Sequence, residues 1–343
     1  MITLEFLQLL TYFVMMFAVI AYATLDGFDL GVGALHLLTK GDDQRRVMIN
    51  AIGPVWDGNT TWIVIGSGVM FAGFPRAFAN LTSGFYTATM ILLFGFMLRA
   101  ASIEFRSKKT SYTWRYFWDF CFAAASLILA LSVGLIIGNM IEGVPLNEHG
   151  IYEGGLFQLF SPYTILVALF SLSLFTMHGS IYLLMKTEGE FRNKVHRWIR
   201  PLVTLFLALW ALTTCGTFIF NPHMIAPFFN HPILSIFIFL SLGFIGGILY
   251  FVHEKKDGIA FLCSCLSIVF LLVLFSIGTF PNILRSSVEP LNRSLTLYNS
   301  SASKTALYVM GLIGLTGIPL SFFYVSYIHK VFKGKVKLDH TSY

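Results

Sequence analysis

Residues 22–33 read Tyr22-Ala23-Thr24-Leu25-Asp26-Gly27-Phe28-Asp29-Leu30-Gly31-Val32-Gly33 and close an apolar stretch that begins at Leu4. No charged residue lies between Phe6 and Thr24. A helix that enters the hydrocarbon near Phe6 crosses it in roughly twenty residues, since each residue adds about 1.5 Å. We therefore expect one long helix, from Leu4 to about Leu38, that brings two aspartates to the far membrane boundary.

Four residues of this stretch fall on one helix face. Tyr22, Asp26, Asp29 and Gly33 follow the spacing i, i+4, i+7 and i+11. A polar stripe on an apolar helix is costly in lipid, so it must face protein or water. The stripe predicts a buried or hydrated site.

The composition is that of an integral membrane protein. Of 343 residues, 56% are hydrophobic and only 12% are charged, whereas soluble domains carry about 25% charged residues. The net charge is +6. The basic residues lie in short loops between apolar runs, which argues against a nucleic-acid partner. The cysteines all fall inside apolar segments and form no zinc, disulfide or c-type haem motif: Cys121, Cys215, Cys263 and Cys265.

Nine apolar segments are long enough to span a bilayer, and lipid forces such segments to be helical. They cover approximately 6–34, 54–74, 83–103, 117–141, 163–185, 199–220, 233–252, 259–280 and 305–329. The fold class is therefore all-α and polytopic, with 1–343 as a single transmembrane domain. Thr176-Met177-His178-Gly179 resembles Thr24-Leu25-Asp26-Gly27. This match suggests repeat halves, 1–141 and 163–280, as two four-helix bundles plus an extra helix at 305–329.

The basic residues predict the orientation. Nineteen of the 23 lysines and arginines fall in alternate loops and the C-terminal tail, and four on the other side. The larger set is Lys40, Arg45, Arg46, Arg99, Arg106, Lys108, Lys109, Arg115, Lys186, Arg192, Lys194, Arg197, Arg200, Lys255, Lys256, Lys330, Lys333, Lys335 and Lys337. The positive-inside rule then places the N-terminus outside and the C-terminus in the cytoplasm. An odd number of helices likewise requires that the two termini lie on opposite sides.

The second segment starts on the same side as the aspartates, at Gly53-Pro54-Val55-Trp56-Asp57-Gly58-Asn59. Proline suits a first helical position, so Asp57 lies in the opening turn, where the helix dipole favours a carboxylate. Desolvation at Asp26 favours the neutral acid. Together with Asp29 and Asn59, these residues predict a hydrated ionisable site that could relay protons.

The histidines do not predict a haem site in this chain. A haem inside a membrane usually needs strong axial ligands, most often histidines. His178 alone lies well inside an apolar segment, so a bis-histidine site at mid-membrane cannot be assembled. His178 is a weak cofactor candidate, and a hydrogen-bonded core histidine is the favoured interpretation.

Several stretches resemble subunit II of cytochrome bd-type quinol oxidases. The most specific are Thr24-Leu25-Asp26-Gly27-Phe28-Asp29-Leu30-Gly31-Val32-Gly33 and Arg46-Val47-Met48-Ile49-Asn50-Ala51-Ile52-Gly53-Pro54-Val55-Trp56-Asp57-Gly58-Asn59. Further matches are Phe105-Arg106-Ser107-Lys108, Trp114-Arg115, Trp118-Asp119, Gly138-Asn139, Gly143-Val144-Pro145, Phe157-Gln158-Leu159, Phe280-Pro281 and Asn292-Arg293-Ser294-Leu295-Thr296. The resemblance thus covers nearly the whole chain.

The resemblance implies a heterodimer in a bacterial or archaeal plasma membrane. Its partner would be a subunit I that carries two b-type haems and one d-type haem, oxidises quinol and reduces oxygen to water. Subunit II is then haem-free, and some members hold a quinone in it. A small single-helix accessory subunit and membrane lipid are further candidate partners.

For this chain the resemblance implies no catalytic residue and no metal site. Asp57, Asp26, Asp29 and Asn59 are the candidate proton-pathway residues, near the cytoplasmic entry. Trp56 and Tyr22 are candidates for the contact with subunit I. Two other interpretations remain open, a stand-alone proton-coupled transporter and a purely structural partner subunit.

Overall fold

The computed structural model describes residues 2–338, which form a bundle of long helices with short connecting elements. The first half contains α1 (Leu4–Leu35), α2 (Asp42–Ile52), α3 (Trp56–Gly73), α4 (Pro75–Ala79), α5 (Tyr86–Phe105) and α6 (Tyr112–Glu142). The second half contains α7 (Pro162–Lys186), α8 (Gly189–Phe220), α9 (Ala226–Asn230), α10 (Ile236–His253) and α11 (Asp257–Thr279). Then follow β1 (Asn282–Leu284), α12 (Pro290–Arg293), β2 (Leu295–Thr296) and α13 (Lys304–Val331), with β1 and β2 antiparallel.

The predicted all-α membrane fold is confirmed. Within residues 2–338, eight helices are individually long and apolar enough to cross a membrane. The ninth span, α3, meets that test together with the segment that follows it, from which it is bent by 117°. Pro75 begins α4 directly after this bend, and a proline disfavours helical geometry at the residue before it. Helix α3 therefore ends at Gly73, after 18 residues.

Two helices are longer than the apolar segments predict. α8 begins at Gly189 rather than near residue 199, and α6 begins at Tyr112 rather than near residue 117. In α8, Phe191, Val195 and Ile199 repeat at i, i+4 and i+8 and are all buried. One face of the helix thus packs on the protein beyond the hydrocarbon, where hydropathy alone cannot find its start.

The long helices pack as two groups of four with α13 added at the side. α1, α3, α5 and α6 form one group, and α7, α8, α10 and α11 form the other. α1 and α6 both pack on α7, while α13 packs on α1 and α3. The predicted four-plus-four-plus-one architecture agrees with this packing, and common ancestry of the halves 1–141 and 163–280 stays a prediction.

Glycines bring the two groups into close contact. A Cβ added at Gly31 would lie 1.8 Å from the backbone oxygen of Phe175, and one at Gly179 would lie 2.6 Å from the backbone nitrogen of Val32. Neither position accepts a side chain without a shift of backbone. The crossing of α1 and α7 therefore depends on two glycines, as close helix pairs in membranes often do. It lies next to the predicted aspartate site.

Candidate functional site

The polar stripe predicted on α1 is buried in protein. Tyr22 is 3% exposed, and Asp26 and Asp29 are 0% exposed. α3, α6, α7 and α13 all pack on α1. The side chains that meet the two carboxyls come from α3 and α5, so the site is made by three helices.

Asp26 forms a bidentate ion pair with Arg99 of α5. Arg99 Nη1 donates to Asp26 Oδ2 at 2.9 Å, and Nη2 donates to Oδ1 at 2.7 Å. Thr60 accepts from Arg99 Nη2 at 2.7 Å, and its hydroxyl lies 3.1 Å from Asp26 Oδ1. The Arg99 side chain is 1% exposed. Paired charged hydrogen bonds of this geometry stabilise the carboxylate in a dry site.

The position of Arg99 corrects one prediction from the sequence. Charge counting places Arg99 among the loop cations, yet it lies inside α5, which continues to Phe105. The argument from desolvation at Asp26 did not include this counter-ion. A buried arginine six residues before the end of a membrane helix is the signal that points to a buried acidic partner.

Asp29 has a different environment from Asp26. Asn59 Nδ2 donates to Asp29 Oδ2 at 2.8 Å, and both residues are 0% exposed. Among residues 2–338, Asp29 Oδ1 has no hydrogen-bond partner. On the other side of the amide, His329 Nε2 of α13 lies 3.4 Å from Asn59 Oδ1. His329 is partly exposed. The three polar side chains therefore extend in a row from the buried Asp29 to the protein surface.

Asp57 does not join the two buried aspartates. It lies in the first turn of α3, as predicted, but its side chain is exposed. Trp56 is half-buried beside it. Tyr22, the other candidate for the subunit contact, is enclosed by side chains of this chain; a place at the interface stays a prediction. The sequence could not tell which faces of α3 and α1 meet.

A second polar cluster, centred on Asp119 of α6, was not predicted from the sequence. Asp119 Oδ1 lies 2.6 Å from His36 Nε2 and accepts from Arg106 Nε at 2.5 Å. Its other oxygen accepts from Arg45 Nη1 at 3.0 Å. Arg106 Nη2 also donates to Asp42 at 2.7 Å. The cluster ties the ends of α1, α5 and α6 to α2 near the loop that carries Lys40.

The two fully buried histidines among residues 2–338 are both engaged in other contacts. His178 is 0% exposed; its Nε2 donates to the Thr24 carbonyl at 3.0 Å, and Nδ1 lies 2.8 Å from Ser264 Oγ. Its ring also stacks on Phe261 with 5.0 Å between centroids. His36 is the other fully buried histidine among residues 2–338, and it is held by Asp119. Packing and hydrogen bonds therefore account for both rings, as expected for core histidines.

An apolar cavity lies between the second group of helices and α6. Its volume is about 290 Å³, and its lining comes from α6, α7, α8, α10 and α11. Trp210, Thr213 and Thr217 line one side, and Phe175 and Phe275 are also part of the lining. The cavity suits an apolar molecule with few polar groups.

Comparisons with known proteins identify relatives over nearly the whole length of the chain. The family model described as cytochrome bd terminal oxidase subunit II matches residues 7–332. The chain is 29% identical to cytochrome bd-I ubiquinol oxidase subunit 2 of Escherichia coli (strain K12), covering 98% of this chain and 97% of that one. It is 27% identical to cytochrome bd ubiquinol oxidase subunit 2 of Bacillus subtilis (strain 168), with coverages of 92% and 93%.

The fold also matches a solved structure. The bd oxidase from Geobacillus thermodenitrificans superposes with a TM-score of 0.78 at 16% identity, covering 95% of this chain and 98% of that one. At 16% identity this similarity shows the fold alone. The shared fold agrees with the helix packing described above.

Proposed function

Because the chain belongs to the family of cytochrome bd terminal oxidase subunit II, we propose that it delivers protons to an oxidase whose haems lie on the partner subunit. The chain is a multi-pass membrane subunit of a haem-containing quinol:oxygen oxidoreductase, and subunit I is its partner. Proton delivery is the part of that reaction that we assign to this chain. The family resemblance implies two b-type haems and one d-type haem. We place them on subunit I, because the buried histidines of residues 2–338 are engaged in other contacts.

The observation that carries the proposal is the difference between Asp26 and Asp29. Protonation of Asp26 would weaken two hydrogen bonds to a buried guanidinium. Protonation of Asp29 breaks no ion pair, because its contact is the amide of Asn59. Asp29 is therefore the carboxyl that can bind and release a proton at the smaller cost. We assign Asp29 to proton exchange and Asp26 to holding the site together.

The polar groups around Asp29 suggest a route. His329 lies at the end of α13 that carries Lys330, which is the cytoplasmic end in the predicted orientation. Protons would enter there and reach Asp29 alongside Asn59, whose amide orients the carboxyl and does not itself carry a proton. Asp57 is exposed on α3 and, with Trp56, would face subunit I. In this proposal Asp57 is a second proton-pathway carboxylate, which lies at the subunit boundary and not in the interior site.

Turnover and haem content of aspartate variants of the complex test the proposal. Asp29→Asn and Asp57→Asn should lower quinol oxidase turnover about tenfold or more while leaving haem content intact, as loss of a proton-transfer group commonly does. Glu190→Gln is the matched control, because Glu190 is an exposed carboxylate at the start of α8. If both aspartate variants assembled and turned over at the wild-type rate, the carboxyls would be structural and the proposal would fail.

Two finer features implied by the family resemblance stay predictions. A quinone bound by this chain would find suitable walls in the apolar cavity of about 290 Å³. A small accessory subunit would have to pack on one of the exposed apolar helix faces. The alternative of a stand-alone transporter is not supported by the family assignment.

A further inference from the structure

A polar pocket of about 160 Å³ lies at one end of the helix bundle, between the connection α1–α2 and the start of α6. Lys40, Arg45 and Arg115 line it together with the rings of Tyr112 and Tyr116. The two rings stack with 6.1 Å between centroids, and the guanidinium of Arg45 lies 5.7 Å from the centre of Tyr116. The pocket is separate from Asp29 and its partners.

The charges around this pocket do not balance. Asp119 and Asp42 are the carboxylates in the lining. Arg106, from behind the pocket, already donates to both. Arg45 also donates to Asp119 and Arg115 to Asp42. Four cations, Arg106 included, therefore face two carboxylates. Lys40 makes no hydrogen bond or ion pair with any residue in the range 2–338 and is exposed. Excess positive charge at an open pocket favours an anion.

An exposed aromatic face leads from the pocket into the membrane. Tyr112, Tyr116 and Phe120 recur at i, i+4 and i+8 on α6 and are 77%, 46% and 55% exposed. Phe117 beside them is 55% exposed. α6 is one of the membrane-spanning helices, and it starts at Tyr112. Tyrosines at the rim with phenylalanines below them are typical of the membrane interface.

We propose that this pocket binds the phosphodiester headgroup of an anionic phospholipid whose acyl chains lie along Tyr116 and Phe120. A phosphodiester supplies the missing negative charge and can accept from arginine, lysine and tyrosine at once. A basic pocket between membrane helices at the level of the headgroups is a suitable place for such a lipid. The continuous apolar face below favours a lipid over a soluble anion.

Lipid titration of the delipidated two-subunit oxidase, followed by native mass spectrometry, tests the proposal. Wild-type complex should bind phosphatidylglycerol more tightly than phosphatidylcholine. Lys40→Gln should weaken phosphatidylglycerol binding about fivefold, and Lys40→Gln with Arg115→Gln about thirtyfold, taking roughly 1 kcal/mol for each cation. Arg200→Gln is the control, because Arg200 is an exposed cation of α8 outside the pocket. Equal affinity in the wild type and the double variant would overturn the proposal.

Two further probes separate a lipid from a soluble anion. Phe120→Gln should weaken binding of phosphatidylglycerol and leave binding of glycerol phosphate unchanged. Phe120 makes no ion pair, so this variant alters the acyl-chain face without touching the charges. If glycerol phosphate bound as tightly as phosphatidylglycerol, the pocket would be an anion site with no lipid component. That result would also overturn the proposal.

Discussion

Asp26 and Arg99 share two hydrogen bonds inside the bundle, where either charge alone would be costly. Breaking a buried pair by removing one partner typically costs about 3–5 kcal/mol. We expect Asp26→Asn and Arg99→Gln each to lower the yield and the thermal stability of the haem-containing complex. The double variant Asp26→Asn with Arg99→Gln should recover part of both, because no charge is left unpaired.

Yield, haem per complex and the unfolding midpoint, measured on all three variants, decide this prediction. Recovery in the double variant assigns the loss to the ion pair. Single variants as stable as the wild type would mean that the pair contributes nothing to assembly.

The residues of the site could be predicted from the sequence only in part. The spacing of Asp26 and Asp29 sufficed to predict a polar stripe that faces protein or water, because helical periodicity is a local property. The partner of Asp26 lies 73 residues away on α5. Arg99 stands next to a basic loop in the sequence, so charge counting placed it there. Only the packing of α5 on the bundle brings it to Asp26.

At the scale of elements, the crossing of α1 and α7 is the contact most sensitive to side-chain size. An alanine normally stabilises a helix relative to glycine by about 1 kcal/mol. Gly31→Ala should instead destabilise the complex by roughly 1–3 kcal/mol, since its Cβ would collide with backbone of α7. Gly246→Ala in α10 is the control, because no atom lies within 4 Å of its added Cβ. Equal thermal stability of the two variants would contradict this account of the crossing.

The helices themselves were largely predictable from the sequence, because span length follows from the thickness of the bilayer. The starts of α6 and α8 were not, since both precede the apolar runs. In α8 the burial of Phe191 and Val195 against protein, rather than hydropathy, accounts for the extra turns. The bend after α3 follows from Pro75, a local signal. The side on which α13 packs depends on tertiary contacts with α1 and α3 that no local pattern contains.

At the scale of the whole molecule, the asymmetry of the basic residues predicts that the C-terminal tail lies in the cytoplasm. A cysteine at Lys333 should react with a membrane-impermeant thiol reagent in opened cells and not in intact cells. The background would carry Cys215→Ser, because Cys215 is exposed among the native cysteines. A cysteine at Asn292, on the other side, should react in intact cells. Labelling of Lys333→Cys in intact cells would reverse the predicted orientation.

The central claim, that Asp29 carries protons for the oxidase, is tested most directly by proton uptake during a single turnover. Fully reduced complex is mixed with oxygen, and a pH-sensitive dye and the haem absorbance are recorded together. We predict that Asp29→Asn slows proton uptake about tenfold or more, while binding of oxygen to the haem and haem content stay as in the wild type and in Glu190→Gln. Proton uptake at the wild-type rate in Asp29→Asn would contradict the account.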